Sequence, residues 1–261
     1  MPASGAVTRN TLRQQIADAL RDEVLAGRLQ PGEEFTVKQI AEQYGVSATP
    51  VREALVDLCA QGLLDSDQHR GFRVHQFSVD DYRGMVEARM LVVDGIFRRQ
   101  APRTAPVDPD VSVGVALVSI RRRGEAAARA ARAGDLDVLI GYDIRYWREL
   151  GRLVAANDHI ADFLHRLRVQ AWVFSVPYLR SDRDLLGWLW SGYVDLIDAI
   201  TRGDGEGAVA VVRAYNAKCL EWADRLDARA TGAGSTVRAD ATVRADATVR
   251  ADATGRAGTT S

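Results

Sequence analysis

The chain is short of three things: cysteine, net charge and long apolar runs. Cys59 and Cys219 lie far apart, each among apolar neighbours in a helical pattern. That excludes a disulfide framework and reads as two buried thiols ahead of a disulfide or redox switch. Formal net charge is -1, and residues 1–78 hold slightly more acidic than basic side chains. A non-specific nucleic-acid coater, which binds by releasing counterions from many phosphates, is thereby excluded. A binder that relies on a few well-placed arginines is not. The longest near-continuous apolar run, Val111 to Ile120, is too short to span a bilayer. Met1 to Asn10 lack the apolar core of a signal peptide. The expectation is a cytoplasmic protein with no membrane partner. Nor does the chain show a nucleophile–base arrangement, a phosphate loop or a metal-ligand cluster, so it is not read as an enzyme.

What is present is an ordinary globular composition, 47% hydrophobic and 26% charged, in 261 residues, enough for two domains. Residues 45–55, Gly-Val-Ser-Ala-Thr-Pro-Val-Arg-Glu-Ala-Leu, carry the most information. Gly45 suits a tight turn, Ser47 can cap the helix that follows, and Pro50 is tolerable only in that helix's first turn. Val51, Ala54, Leu55 and Leu58 recur at helical spacing and face a core, leaving Thr49, Arg52 and Val56 on the other side. A hydroxyl and a guanidinium on an exposed helix after a turn are what a recognition helix presents to a major groove. Upstream, Thr11 to Leu29 reads as a helix, and Thr36 opens a short one over Val37 to Tyr44. Downstream, Leu63-Leu64-Asp65 and Phe72-Arg73-Val74 read as short strands around Gln68-His69-Arg70-Gly71. The sum is a winged helix-turn-helix.

Residues 11–77 resemble the DNA-binding domain of the GntR family of bacterial transcription regulators. The resemblance is carried by Gly27-Arg28-Leu29-Gln30-Pro31-Gly32-Glu33, Ile40 to Ser47, Thr49 to Leu55 and Arg70 to Val74. It implies DNA contacts from Thr36, Ser47, Ala48, Thr49 and Arg52 on the helical side. His69, Arg70 and Gly71 would reach a minor groove from the wing. One departure stands out: Ala48 takes a place usually held by Arg, which removes a phosphate or base contact.

Residues 78–230 read as an all-helical bundle: Val79 to Gln100 capped by Ser78, a loop with three prolines over Ala101 to Asp110, then Val111 to Ala133, Asp135 to Ala156, Asp158 to Pro177, Ser181 to Arg202 and Glu206 to Ala230. Arg121-Arg122-Arg123 reads as a solvated face. Glu87-Ala88-Arg89, Asp143 to Trp147, Ala156-Asn157 and Ile197 to Ile200 resemble the FCD ligand-binding domain of the FadR-like branch of that family. From residue 231, three tandem copies of Thr-Val-Arg-Ala-Asp-Ala read as a disordered low-complexity tail, and residues 1–10 as a flexible start.

In many FCD domains an Asp and three His converge on a divalent cation. By resemblance the Asp is Asp143, while the three His positions hold Trp147, Tyr193 and Tyr215. The histidines present, His69, His75, His159 and His165, do not rebuild the set. The expectation is no metal and no cofactor. The resemblance also places a carboxylate-holding arginine at Arg89. Arg89, Asp143, Trp147, Tyr193 and Tyr215 then suggest an aromatic-lined pocket for a flat or apolar effector with one polar or carboxylate handle. The competing reading has the aromatics filling the space and Arg89 paired with Asp143. The expected function is a homodimeric, sequence-specific repressor on a palindromic operator. The alternative is a DNA-binding scaffold with a filled pocket, answering to a protein partner.

Overall fold

The computed structural model describes the backbone of residues 4–67, 71–100 and 111–254, and is mainly helical with one small sheet. The first helix, α1 (Ser4–Leu25), starts earlier than the expected Thr11 and stops short of Leu29; it takes in most of the segment read as a flexible start. Ile16, Leu20 and Val24 of α1 are buried against the third helix. A two-residue strand, β1 (Glu34–Phe35), follows, and then α2 (Val37–Tyr44). Thr36 closes a capping box on α2: its hydroxyl accepts from the Gln39 amide, and the Gln39 side chain accepts from the Thr36 amide. Gly45 ends α2 at φ 64, a left-handed turn that a side chain would strain.

α3 (Ala48–Ala60) buries Val51, Ala54, Leu55 and Leu58 with Pro50 in its first turn, as the spacing predicts. β2 (Leu64–Asp67) and β3 (Gly71–Val74) pair antiparallel, with Leu64 opposite Val74 and Asp65 opposite Arg73. The sequence reading missed β1, which lies on the other side of β3 with Phe35 opposite Phe72. Two residues give too short a run for any periodicity to show.

The helical half contains α4 (Val79–Gln100), α5 (Val111–Ala133), α6 (Leu136–Ala155), α7 (Asp158–Ser181), α8 (Tyr193–Thr201) and α9 (Gly205–Thr254). Ser78 caps α4 as expected, its hydroxyl accepting from the Asp81 amide at 3.1 Å. Two boundaries depart from the sequence reading. α7 runs past Pro177 to Ser181, because Val173, Phe174, Val176 and Leu179 are buried on both sides of the proline and packing outweighs the missing amide. The expected helix over 181–202 is broken into a 3-10 turn (Arg183–Trp188), an extended link and α8. Asp182 starts the turn by accepting from the Asp184 amide, and Gly187 and Gly192 weaken any continuous helix. α9 carries its backbone helix through the tandem repeats, which the reading of 231–261 as a disordered tail did not anticipate; the repeats hold no Gly or Pro to stop it.

The two halves meet along α7, which packs on α1. Gln170 of α7 donates to the backbone carbonyl of Gln61, the residue that caps the end of α3.

Candidate nucleic-acid interface and effector cavity

The α2–turn–α3 unit fixes which side chains reach solvent. Burial of Val51, Ala54, Leu55 and Leu58 turns the opposite face of α3 outward, so Ser47, Ala48, Thr49, Arg52 and Glu53 are all exposed, with Val56 beside them. Ser47 stands at the cap position, but its hydroxyl makes no capping bond. The expected cap is therefore corrected, and the hydroxyl stays free at the surface. Thr36 is exposed too, although its hydroxyl is engaged with Gln39. Gly71 opens β3 so close to β1 that a Cβ would lie 2.6 Å from the Phe35 carbonyl. His69 and Arg70 lie outside the described residues.

In the bundle, α6, α7, α8 and α9 bring Asp143, Trp147, Tyr193 and Tyr215 together, with Arg89 of α4 alongside. The centre of this group is a residue the sequence reading did not name. Arg168 is 6% exposed and forms a two-pronged ion pair with Asp143, which is 0% exposed. Its Nε donates to Asp143 Oδ2 at 2.6 Å, Nη2 donates to Oδ1, and Nη1 donates to Tyr215 Oη. Trp172 Nε1 donates to Oδ2 and Tyr193 Oη to Oδ1, both at 2.6 Å. Asp143 is thus saturated and cannot serve as a polar handle for a ligand. The ion pair expected in a filled pocket exists, but Arg168 rather than Arg89 makes it. The reason is geometric: Asp143 and Arg168 sit on neighbouring helices that pack along their length. Burial works against the Arg168 charge, and Asp143 more than offsets it, holding its pKa well above the ordinary value.

Arg89, buried at 7% exposure, has no carboxylate partner among the described residues. Its Nε donates to Asn216 Oδ1 at 2.8 Å, and its guanidinium lies 4.7 Å over the Tyr215 ring. Two further buried donors nearby lack acceptors, Trp147 Nε1 and Asn216 Nδ2. A cavity of about 50 Å³ opens between Arg89, Trp147, Phe97, Ile96, Leu196 and Val212. A second, of about 70 Å³, lies on the far side of Arg168 and Tyr215 among Trp172, Trp188, Trp190 and Trp222. The five residues expected to line one pocket are therefore divided. Arg89 and Trp147 line the first cavity, Tyr193 and Tyr215 line the second, and Asp143 lines neither.

The donor set does not fit the divalent cation that the FCD resemblance implies. Burial, with Asp143 adding to it, raises the Tyr193 phenol well above the usual tyrosine range. Burial also pushes Tyr215 up to about 12. Both are neutral hydroxyls, and Trp147 offers no lone pair. Among the described residues no group of three or more His, Cys, Asp or Glu could hold a metal ion. The sequence carries a signal for Arg168. Ala161, Arg168, Trp172, Ser175 and Leu179 share the buried face of α7, and an arginine inside an apolar stripe implies a buried partner.

Residues 12–74 match the model of "Bacterial regulatory proteins, gntR family" and residues 113–217 that of the FCD domain. The "Probable D-xylose utilization operon transcriptional repressor" of Paenarthrobacter nicotinovorans is 30% identical over 203 residues, covering 78% of this chain and 84% of that protein. A helix-turn-helix regulator from an unstable DNA locus of Streptomyces ambofaciens is 27% identical, over 84% of this chain and 88% of its own length. Among solved structures, McbR/YncC of E. coli aligns over 82% of this chain and 98% of its own, with a TM-score of 0.61 at 21% identity, a likeness of fold.

Proposed function

The chain belongs to the GntR family of bacterial regulatory proteins, as a DNA-binding transcriptional regulator of repressor type with an FCD domain and not an enzyme; on that premise we propose that it works as a homodimer on a palindromic operator in the cytoplasm, with its affinity set by a small molecule in the helical half. One observation carries the DNA contact: the solvent face of α3 starts with a free Ser47 hydroxyl and continues through Thr49 and Arg52. Arg52 suits a guanine edge or a phosphate, and Val56 a thymine methyl. Ser47 and the amides around Ala48 suit phosphates, Thr36 would reach one only by giving up its hydroxyl's bond to Gln39, and His69, Arg70 and Gly71 would follow the adjacent minor groove. One such head reads few base pairs, and two related by a dyad read a palindrome. Leu91, Val115 and Val118 leave large aliphatic side chains exposed on α4 and α5, which suits contact with a second copy.

For the effector, the first cavity is the better seat. Of the two arginines at its otherwise apolar wall, Arg168 is already paired with Asp143, whereas Arg89 has no carboxylate partner among the described residues and calls for an acceptor-bearing anion such as a carboxylate. At about 50 Å³ the space takes a small group, roughly a third of the ~150 Å³ engineered cavity that admits benzene. A larger aromatic acid must shift Trp147 or Phe97 to enter, and that shift is the differential contact through which binding can alter the heads. Selection of bound duplexes from a random pool tests the function: enrichment of a two-fold symmetric sequence supports it, and a pool without consensus contradicts it.

A further inference from the structure

We infer that Arg168 takes over the work of the family's divalent cation, so that a metal is kept out of this bundle by a guanidinium already in its place and not merely by the loss of three imidazoles. Metal at this position would need Asp143 as its anionic ligand. Both oxygens of that carboxylate are already taken, by Nε and Nη2 of Arg168 together with Trp172 and Tyr193. The remaining terminal nitrogen of Arg168 is turned to Tyr215, where the resemblance would put another ligand. The guanidinium thus bridges two positions of the ligand set, as a bound ion would. It is fixed by the rings packed on it, with Trp147, Tyr215 and Trp172 each within 6 Å of its carbon. A divalent ion entering here would meet a permanent positive charge a few ångströms away, in a buried setting that screens it far less than bulk solvent does.

The ordinary explanation, absence of histidine, makes a different prediction. If the imidazoles alone were missing, restoring them would restore metal binding. On the present account it would not.

The test compares two full-length proteins after dialysis against Zn²⁺ and then against buffer, with metal content read by elemental analysis and folding by circular dichroism. Trp147→His/Tyr193→His/Tyr215→His keeps Arg168, and should retain no stoichiometric Zn²⁺. The same triple variant with Arg168→Ala should retain close to one Zn²⁺ per chain. Stoichiometric Zn²⁺ in the first, or none in the folded second, overturns the inference. Should either variant not fold, thermal melting of simpler variants decides. Arg168→Ala should lower the melting temperature by stranding a buried carboxylate, and Arg168→Ala/Asp143→Asn should recover part of that loss. The wild-type melt should ignore both EDTA and added Zn²⁺. A double variant no better than Arg168→Ala, or a wild-type melt lowered by EDTA, contradicts the inference. None of these readings uses DNA, so they stand or fall separately from operator binding.

Discussion

Gln170, on the helical half, donates its side-chain amide to the backbone carbonyl of Gln61, at the end of α3, over 2.7 Å. It lies two residues from Arg168 on α7, so the helix that carries the guanidinium at the bundle centre also holds the C-terminus of α3. Gly62 follows Gln61 at φ 70, and a Cβ there would sit 2.6 Å from Gln170 Nε2. The turn therefore needs glycine twice, for its backbone and for the approach of Gln170. Gly62→Ala should cost about 1–2 kcal/mol and Gln170→Ala about 0.5–1.5 kcal/mol. Because both break one bond, the costs should add to less than their sum. Chemical denaturation of the single and double variants checks this; strict additivity would show that the two residues are not coupled.

Arg89 should separate ligand binding from DNA binding. Arg89→Leu removes the buried cation beside the first cavity while keeping apolar volume. In a thermal-shift screen with small aliphatic and aromatic acids, any carboxylate that raises the wild-type melting temperature should lose that effect, since stabilisation follows the native-state affinity. Operator affinity without ligand should be unchanged. An equal shift in both proteins would place the carboxylate elsewhere.

The two halves differed in how much their sequence revealed. In the winged helix each local signal agreed with the next: Thr36 and Gly45 bound α2, and Val51, Ala54, Leu55 and Leu58 set the buried face of α3. Three details escaped: β1, being two residues long, the ends of α1, which runs Ser4–Leu25, and the expected Ser47 cap, whose hydroxyl makes no capping bond. In the bundle the helices were legible from periodicity, but their ends were not, because Pro177 was overridden by burial and Gly187 and Gly192 by no equivalent packing. The centre of the site was half legible. Resemblance brought Asp143, Trp147, Tyr193 and Tyr215 to one place. It could not say what would balance the carboxylate, since Arg168 lies on another helix and pairs by tertiary packing alone.

Val115 and Val118, three apart on α5, are 65% and 54% exposed, and Leu91 on α4 is 69% exposed. If a second copy covers the α5 pair, Val115→Glu/Val118→Glu should shift the species seen by light scattering from dimer to monomer. It should also weaken operator binding by the loss of the linked second head, about 10²-fold or more. A dimer that persists in the double variant would move the interface off this face.

Acid should weaken the fold through His165. Arg148 shares a 2.8 Å contact with its Nε2, while Nδ1 is buried without a partner. Burial first, then Arg148, with Arg21 and Arg152 in the same direction and Asp162 opposing, hold its pKa down to about 4, against about 6.5 in an unfolded chain. The unfolded state therefore takes up a proton that the folded state refuses. Stability from this group is complete above about pH 6.5 and falls as pH drops toward about 4. For a partly exposed ring the loss at about pH 5 is on the order of 1 kcal/mol. His165→Gln should flatten the decline in melting temperature between neutral pH and about pH 5; parallel profiles would assign the acid sensitivity to other groups.

The central claim is that the solvent face of α3 reads DNA, and Arg52 tests it most directly. On the duplex enriched by selection, Arg52→Ala should weaken binding by about 1–3 kcal/mol, roughly 5- to 150-fold, at fixed salt. Arg202→Ala, on the helical half, should leave the titration unchanged. Equal affinity of wild type and Arg52→Ala for that duplex would contradict the account.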